Sequence, residues 1–343
     1  MQPQDINSTR FALTRRGAVG CAAFGGAMTA IAGGCCLPPV FAQGFSADEV
    51  PRPGGYIRKE LGPGLHWVTD GAYSTMFLVS SEGVIACDAP PTLGGNYLKA
   101  IAEVTDRPIK YLVYSHEHVD HIGGAELFPA GINIVAHRLT AELLASRRDP
   151  RRRPPTLTFD QDYNLTLGDQ TLLLQYHGIN HSVDNIFIFA PRQKALMLID
   201  VVYPGWMPYK NLGVAVDIPG FVAAHRQALS YDFETLVAGH VSRPGTKADV
   251  EVQLELLKNL SSAAERAYGS LSFPQFLAMN PPSATKTAWD LHNDYEQVLV
   301  DRMIREIWPM WRGRLRGVDA YLRDNCWAML ETFVVQGKPT FDV

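Results

Sequence analysis

Cysteine is scarce in this chain, and so is charge. Of five cysteines in 343 residues, three (Cys21, Cys35 and Cys36) fall within the first 42. The other two, Cys87 and Cys326, have no neighbour at metal-finger spacing, which excludes a disulfide-stapled scaffold and a cysteine-based zinc site. Charged residues make up 19% against 46% hydrophobic, outside the range of a disordered or coiled-coil chain. Neither sign of charge is in large excess: the formal charge is −4, and −6 once residues 1–42, with three basic and one acidic residue, are set aside. That balance gives no electrostatic reason to expect nucleic acid or anionic lipid as a partner. A length of 343 residues accommodates one large domain with an extension, or two modest ones, around a sizeable core.

Strongly apolar runs are also missing. Gly17 to Ala42 carries no charge over 26 residues, but it holds six glycines and seven alanines and is interrupted by Pro38-Pro39, too weakly apolar for a convincing membrane span. Because Arg15-Arg16 precedes this run and Val40-Phe41-Ala42 ends it with small or short residues, residues 1–42 read as a twin-arginine export signal cleaved near Ala42. The export machinery is therefore an expected partner, and the periplasm or the exterior the expected location. An uncleaved anchor, or a lipoprotein processed at Cys35 or Cys36, is the alternative.

From about residue 54, short β-rich runs alternate with helical ones, the pattern of an α/β fold. Strands are expected at 84–87, 109–114 and 132–136, at 164–167 and 171–176 as a pair turned by Gly168-Asp169, and at 185–189, 195–199 and 235–238. Leu93, Tyr97, Ile101 and Val104 recur at helical spacing, as do residues in 139–145 and 221–229. The basic run Arg147 to Arg153, broken by Asp149-Pro150, reads as a solvated surface loop rather than an anion site. Beyond Gly245 the chain turns helical, with stripes at Val250, Leu254 and Leu257 and at Val318, Tyr321, Leu322, Met329 and Leu330. Accordingly, residues 43–262 are expected to form the catalytic domain and 263–343 a helical C-terminal extension.

Chemistry concentrates in Ser115-His116-Glu117-His118-Val119-Asp120-His121-Ile122-Gly123-Gly124, directly after an expected strand. Three histidines and an aspartate within six residues exceed anything that core packing requires. Alternate residues of an extended segment point the same way, so His116 and His118 are placed to grip one cation, while Asp120 and His121, entering a helix, face a second. Gly123-Gly124 permits close backbone approach.

This H-x-H-x-D-H pattern resembles the signature of the metallo-β-lactamase superfamily, and the likeness covers roughly residues 56–245. The resemblance implies an αββα sandwich and a completed ligand set: His181 in the Gly178–Asn185 segment, Asp200 after Leu196–Ile199, and His240 in Ala238-Gly239-His240. On that resemblance His116, His118 and His181 hold one metal ion, Asp120, His121 and His240 the other, and Asp200 bridges them. Two divalent ions are implied; zinc is our choice, with iron or manganese as alternatives. Such a pair lowers the pKa of a bound water from about 15.7 toward roughly 7 and polarises a scissile carbonyl. The implied activity is hydrolysis by a metal-bridging hydroxide, oriented by Asp120. Asp88, ending the 84–87 strand, takes the place of a supporting carboxylate behind the ligands.

Tyr203 stands three residues after Asp200, similar to the tyrosine that acyl-homoserine lactone lactonases use near the substrate carbonyl, where it would donate to a developing oxyanion. Trp206, Tyr209 and Tyr73 are candidate pocket walls around a small-molecule substrate. Lys210 lies too far after Asp200 to match the carboxylate-binding lysine of the β-lactamase subclass, and Asp200 stands where the best-known subclass has cysteine. An ester, lactone or related acyl substrate is therefore expected, with a β-lactamase or other amide hydrolase as an alternative, and an iron-dependent oxidoreductase on the same fold as the competing class. His66, His137, His177, His225 and His292 have no place in the pattern and are assigned to packing or surface roles, with His177 the one worth watching. Neither the oligomeric state nor the role of the C-terminal helices is legible.

Overall fold

The computed structural model describes residues 51–341; the expected leader lies outside them. Strand β1 (Ile57–Gly62), β2 (Leu65–Thr69), β3 (Ser74–Val79) and β4 (Val84–Cys87) run antiparallel to one another, and β5 (Ile109–Val113), β6 (Asn133–His137) and β7 (Leu157–Phe159) continue the sheet in parallel. A second sheet has the order β12-β11-β10-β9-β8, built from β8 (Asp162–Leu167), β9 (Gln170–Gln175), β10 (Phe187–Ala190), β11 (Ala195–Met197) and β12 (Thr235–Val237). Its strands pair antiparallel except for β11 with β12.

Side-chain alternation explains why the sheets face each other and why each is also covered outside. In β3 and β4, Met76, Leu78, Ile85 and Cys87 point into the core between the sheets, where they meet Leu172, Leu174, Ile188 and Met197. Phe77, Val84 and Ala86 point the other way, onto Tyr97 and Ile101 of α1 (Gly95–Ala102). Phe187, Leu196 and Leu198 leave the second sheet on its outer face, against α5 (Ile218–Ser230) and α6 (Lys247–Gly269). Both faces of both sheets are thus apolar, which yields the expected αββα sandwich.

Beyond it come α7 (Phe273–Met279), α8 (Ala288–Trp311) and α9 (Val318–Gln336). The expected stripe Val250, Leu254 and Leu257 is buried in α6, and Val318, Leu322, Met329 and Leu330 are buried in α9. Leu299, Met303 and Ile307 of α8 belong to the same core as the outer face of the second sheet. Helix α6 runs unbroken through residues 262 and 263, so the extension begins as a continuation of a helix that already covers the sandwich. Among the described residues no helix is long and apolar enough to cross a membrane.

Candidate metal centre

Segments following β4, β5, β9, β11 and β12 meet at one end of the sandwich. His116 and His118 follow β5 with His118 extended, and Asp120 and His121 lie in the four-residue helix α2 (Val119–Ile122). Gly124 donates its N–H to Ala89 O at 2.8 Å, and a Cβ there would stand 2.8 Å from that same oxygen, so a glycine is required for the contact. Ala89 N–H in turn donates to His121 O. The two strand-ending aspartates, Asp88 and Asp200, both sit in the left-handed region, at φ 49° and 62°. Such backbone is uncommon for a residue other than glycine, though aspartate tolerates it better than most, and it clusters where geometry serves function.

All seven expected ligands come together, in two groups. The ligand atoms of His116, His118, His181 and Asp200 lie within 4.8 Å of one another, and so do those of Asp120, His121 and His240. The Asp200 carboxylate spans both: Oδ1 is 3.0 Å from His240 Nε2, while Oδ2 is 3.0 Å from His121 Nε2 and 3.2 Å from His181 Nε2. Burial grades across the centre. His116 and His121 are fully enclosed, whereas the Asp120 side chain is 42% exposed and those of His118 and His240 are partly exposed, so the pair of groups opens to solvent on one side.

Electrostatics follow from this crowding. Burial, reinforced by His118, His121 and His181, holds the His116 imidazole well below its usual pKa, leaving it neutral as a metal ligand must be. Although burial alone would raise it, Asp200 is held well below the carboxylate range by His121, His240 and His181. Burial likewise opposes a charge on His121, but Asp200 outweighs it and raises the group to about 9. A cation here would replace that proton.

Behind the ligands, Asp88 is fully buried. Its Oδ1 accepts from Ser115 N–H and its Oδ2 from Ser115 Oγ–H, both at 2.7 Å. Ser115 Oγ lies 2.9 Å from His116 Nδ1; with its own proton given to Asp88, it accepts from Nδ1–H and leaves Nε2 for a metal. This chain fixes the tautomer and orientation of His116. Burial pushes Asp88 up to about 7 despite the two donors.

Tyr73 reaches the centre. Its hydroxyl lies 3.4 Å from Asp120 Oδ2, its ring lies against His240 with centroids 4.6 Å apart, and its backbone pairs with that of His240. Burial and then Asp120 push its phenol up to about 12, so it stays a donor. Tyr203 is buried with its ring stacked 6.1 Å from that of His240, and its hydroxyl lies over Gly213, where a Cβ would stand 2.6 Å from it. Trp206, expected as a pocket wall, pairs with Arg316 and packs against Gly317, in the turn before α9.

Other residues matter here without having been singled out. The basic run is only partly a solvated loop. The Arg152 side chain is largely enclosed, donating from Nη1 to Glu117 Oε2 at 2.6 Å and to Glu117 O at 2.7 Å, and Arg147 pairs with Glu117 Oε1 at 2.7 Å. Glu117 separates the candidate ligands His116 and His118, so these arginines hold that loop from behind. Asn185 Nδ2 donates both to Ile199 O and to Asn180 Oδ1, which also accepts from His181 N–H, coupling the His181 loop to the approach to Asp200. Gln253 donates to Val201 O and to His225 Nε2 while accepting from Tyr203 N–H, pinning the segment after Asp200. Arg152 and Gln253 carry no local sequence signal, since each acts across a long separation. His177 contacts Tyr231 rather than the centre.

Residues 69–260 match the metallo-beta-lactamase superfamily, more than half of the chain. The chain belongs to that superfamily. It is 30% identical over 193 residues to the 2,4-dinitroanisole O-demethylase subunit alpha of Nocardioides sp. (strain JS1661), covering 54% of this chain and 58% of that one. It is 26% identical over 132 residues to a metallo-beta-lactamase type 2 of Elizabethkingia meningoseptica, covering 38% and 52% respectively. The chain thus spans just over half the length of these curated relatives. Among solved structures, a metallo-beta-lactamase from Pontibacter korlensis superposes with a TM-score of 0.50 at 24% identity, covering 60% of this chain and 99% of that one, a likeness of fold.

Superfamily membership implies divalent metal, and the site suits it. His116 Nε2, His121 Nδ1 and His181 Nδ1 are buried without a hydrogen-bond partner, and the 3.0 Å approaches of His121 Nε2 and His240 Nε2 to the Asp200 carboxylate lack good hydrogen-bond geometry. So many orphaned acceptors and donors in one enclosed cluster are costly unless a cation satisfies some of them. Six of the seven residues are histidines or a shared carboxylate, a donor set for zinc, iron or manganese rather than for calcium or magnesium.

Proposed function

We propose that this protein is a dinuclear metal-dependent hydrolase, zinc-loaded, that cleaves an ester, lactone or related acyl bond. The observation that carries the reading is the division of the Asp200 carboxylate, one oxygen toward His240 and the other toward His121 and His181. The metal pair, when bound, supplies an acidified water as nucleophile and a Lewis acid for the carbonyl. Everything else falls to the chain. Asp120, on the open side and bonded by Tyr73, is placed to orient the attacking water. Tyr203, protonated and with its ring stacked on that of His240, is our choice of donor to the oxyanion. Asp88 and Ser115 keep His116 Nε2 facing inward.

Beta-lactam and other amide hydrolysis is the nearest alternative on the same site. The demethylase relative adds a nitro-activated methyl aryl ether to the substrates worth testing, since an attacking water can displace methanol at such a ring carbon. An iron-dependent oxidoreductase is the reading from another class. Elemental analysis combined with an activity panel of esters, lactones, a β-lactam and 2,4-dinitroanisole separates them: about two zinc ions per chain with ester or lactone turnover supports the proposal. Iron with oxygen consumption replaces it. We further propose export through the twin-arginine route to the periplasm or beyond, supported by Arg15-Arg16 and the weakly apolar run that follows.

A further inference from the structure

The segment after Asp200 takes an unusual path. In the short turn α4 (Lys210–Val214), Asn211, Leu212 and Gly213 have φ of 52°, 54° and 73°, and Val214 follows at 51°. Left-handed backbone is rare for any residue with a Cβ and rarest for a β-branched one such as Val214. A run of four persists only if its surroundings enforce it.

What enforces it lies on α9, beyond the part of the chain that matches the superfamily. Asn325 is fully buried, and its amide spans the turn: Oδ1 accepts from Leu212 N–H at 2.7 Å, and Nδ2 donates to Pro208 O at 2.9 Å. Leu212 is itself buried in the helical core, so without Asn325 its N–H would lose its partner in an apolar setting. Neighbouring contacts run the same way. Met207 N–H donates to Arg316 O, Arg316 N–H donates to Gly205 O, and Tyr209 meets Tyr321 edge-on at 5.4 Å.

The turn in its turn forms a side of the metal centre. A Cβ on Gly213 would stand 2.6 Å from Tyr203 Oη and 3.3 Å from Asp200 O. Two residues past the turn, Val216 N–H donates to His181 O. Between these anchors, Val214 and Val216 are 53% and 57% exposed, and Ile179, two residues before His181, is 45% exposed. The wall is therefore apolar and accessible, next to His181 and Asp200 of the first metal group.

We propose that Asn325 is a positioning residue through which the C-terminal helix sets this wall, and that the wall receives the apolar acyl portion of the substrate. The proposal rests on the hydrolase reading for its substrate class, while the positioning itself is independent of that reading. Asn325 touches no ligand of either metal group, so its effect is on substrate fit rather than on metal binding.

The test compares wild type with Asn325→Leu, similar in volume but with neither hydrogen bond, and with Asn325→Asp, which keeps an acceptor for Leu212 N–H. Two readouts are taken. The first is hydrogen exchange by mass spectrometry: segment 205–216 should lose protection in Asn325→Leu, less so in Asn325→Asp, while 116–122 and 238–241 stay as in wild type. The second is kcat and KM across p-nitrophenyl esters from acetate to octanoate at equal metal content. For Asn325→Leu, KM for the longer esters should rise about tenfold with kcat changed less than about threefold, and Asn325→Asp should recover part of the preference. A folded variant with unchanged protection in 205–216 overturns the positioning, and unchanged chain-length preference overturns the acyl wall. If Asn325→Leu does not fold, Asn325→Asp decides on the same two readouts. A wild type inactive on every ester and lactone sinks the hydrolase reading and the acyl wall with it, and the exchange result then decides the positioning alone.

Discussion

Removing the guanidinium behind the ligand loop should be among the most damaging single changes outside the ligands themselves. The Glu117 side chain is 5% exposed and that of Arg152 8%, with the charged atoms 2.6 Å apart, whereas Arg147 approaches the same carboxylate from solvent and is half exposed. Breaking a buried pair by deleting one partner costs roughly 3–5 kcal/mol, because the other charge is left without compensation. Arg147 still offers Glu117 one partner, so Arg152→Ala should lose about 2–4 kcal/mol, and Arg147→Ala less than about 1 kcal/mol. Adding Glu117→Gln to Arg152→Ala should restore part of the loss, a coupling of at least about 1 kcal/mol. Urea unfolding of the metal-free wild type, of Arg152→Ala, Arg147→Ala and Glu117→Gln, and of the double variant, followed by circular dichroism and tryptophan fluorescence with m-values compared, measures these differences. Because Glu117 lies between His116 and His118, chelator competition should also show weaker metal binding in Arg152→Ala. If Arg152→Ala costs no more than Arg147→Ala, the buried pair is not what holds the loop.

How much of this was readable beforehand depends on how far apart the interacting residues lie. The His116–Gly124 motif is local, and the strand-then-ligand order carried His181, Asp200 and His240 with it; short β-rich runs marked the strands that enclose the core. Strands β2 and β3 were harder to read, since Leu65–Thr69 and residues 74–78 are buried on both faces and lack clean alternation, while β1 has charged residues Arg58, Lys59 and Glu60 in its middle. Arg152 sits in what reads as a polar, charged loop, and only the fold reveals that its head group lies under Glu117, 35 residues earlier. Trp206 follows a turn at Pro204-Gly205 and pairs with Arg316, a contact that no local pattern announces. Asn325 is 113 residues from the backbone it holds. An isolated asparagine in a helix carries no signal for that. Motif and pattern thus find what is arranged along the chain, and miss the polar side chains that tie one loop to another.

Further outcomes follow from the same contacts. Asp88→Asn keeps the shape but weakens acceptance from Ser115, so metal affinity should fall about 10- to 100-fold by competition titration, with the fold intact; an unchanged affinity would make Asp88 a mere strand end. Tyr203→Phe should lower kcat roughly 10- to 10³-fold with little change in KM if its hydroxyl meets the oxyanion, and wild-type kcat in a fully metallated variant would remove that role. Arg15→Lys with Arg16→Lys should retain the protein in the cytoplasm, and export unaffected in a fractionation assay would point to another route. The last outcome concerns acid, and its sign comes from His225. Burial pushes this imidazole from 6.5 down to about 4, and its ring is committed, with Nδ1–H donated to Phe221 O at 2.8 Å and Nε2 accepting from Gln253. Above about pH 7 the group is neutral in both folded and unfolded chains and contributes no pH dependence. Below 6.5 the unfolded chain takes up a proton that the native state refuses, so stability falls with acid, by about 2 kcal/mol at pH 5 and about 3 kcal/mol at pH 4. His225→Gln has nothing to titrate there. The unfolding free energy of wild type minus that of His225→Gln, both metal-free, should therefore shrink by about 2 kcal/mol between pH 7 and pH 5, the titrating metal ligands cancelling in the difference. A difference that stays flat over that interval would mean that His225 is free to take up a proton in the folded protein, and that the Gln253 bridge behind Tyr203 is looser than its 2.7 Å contact implies.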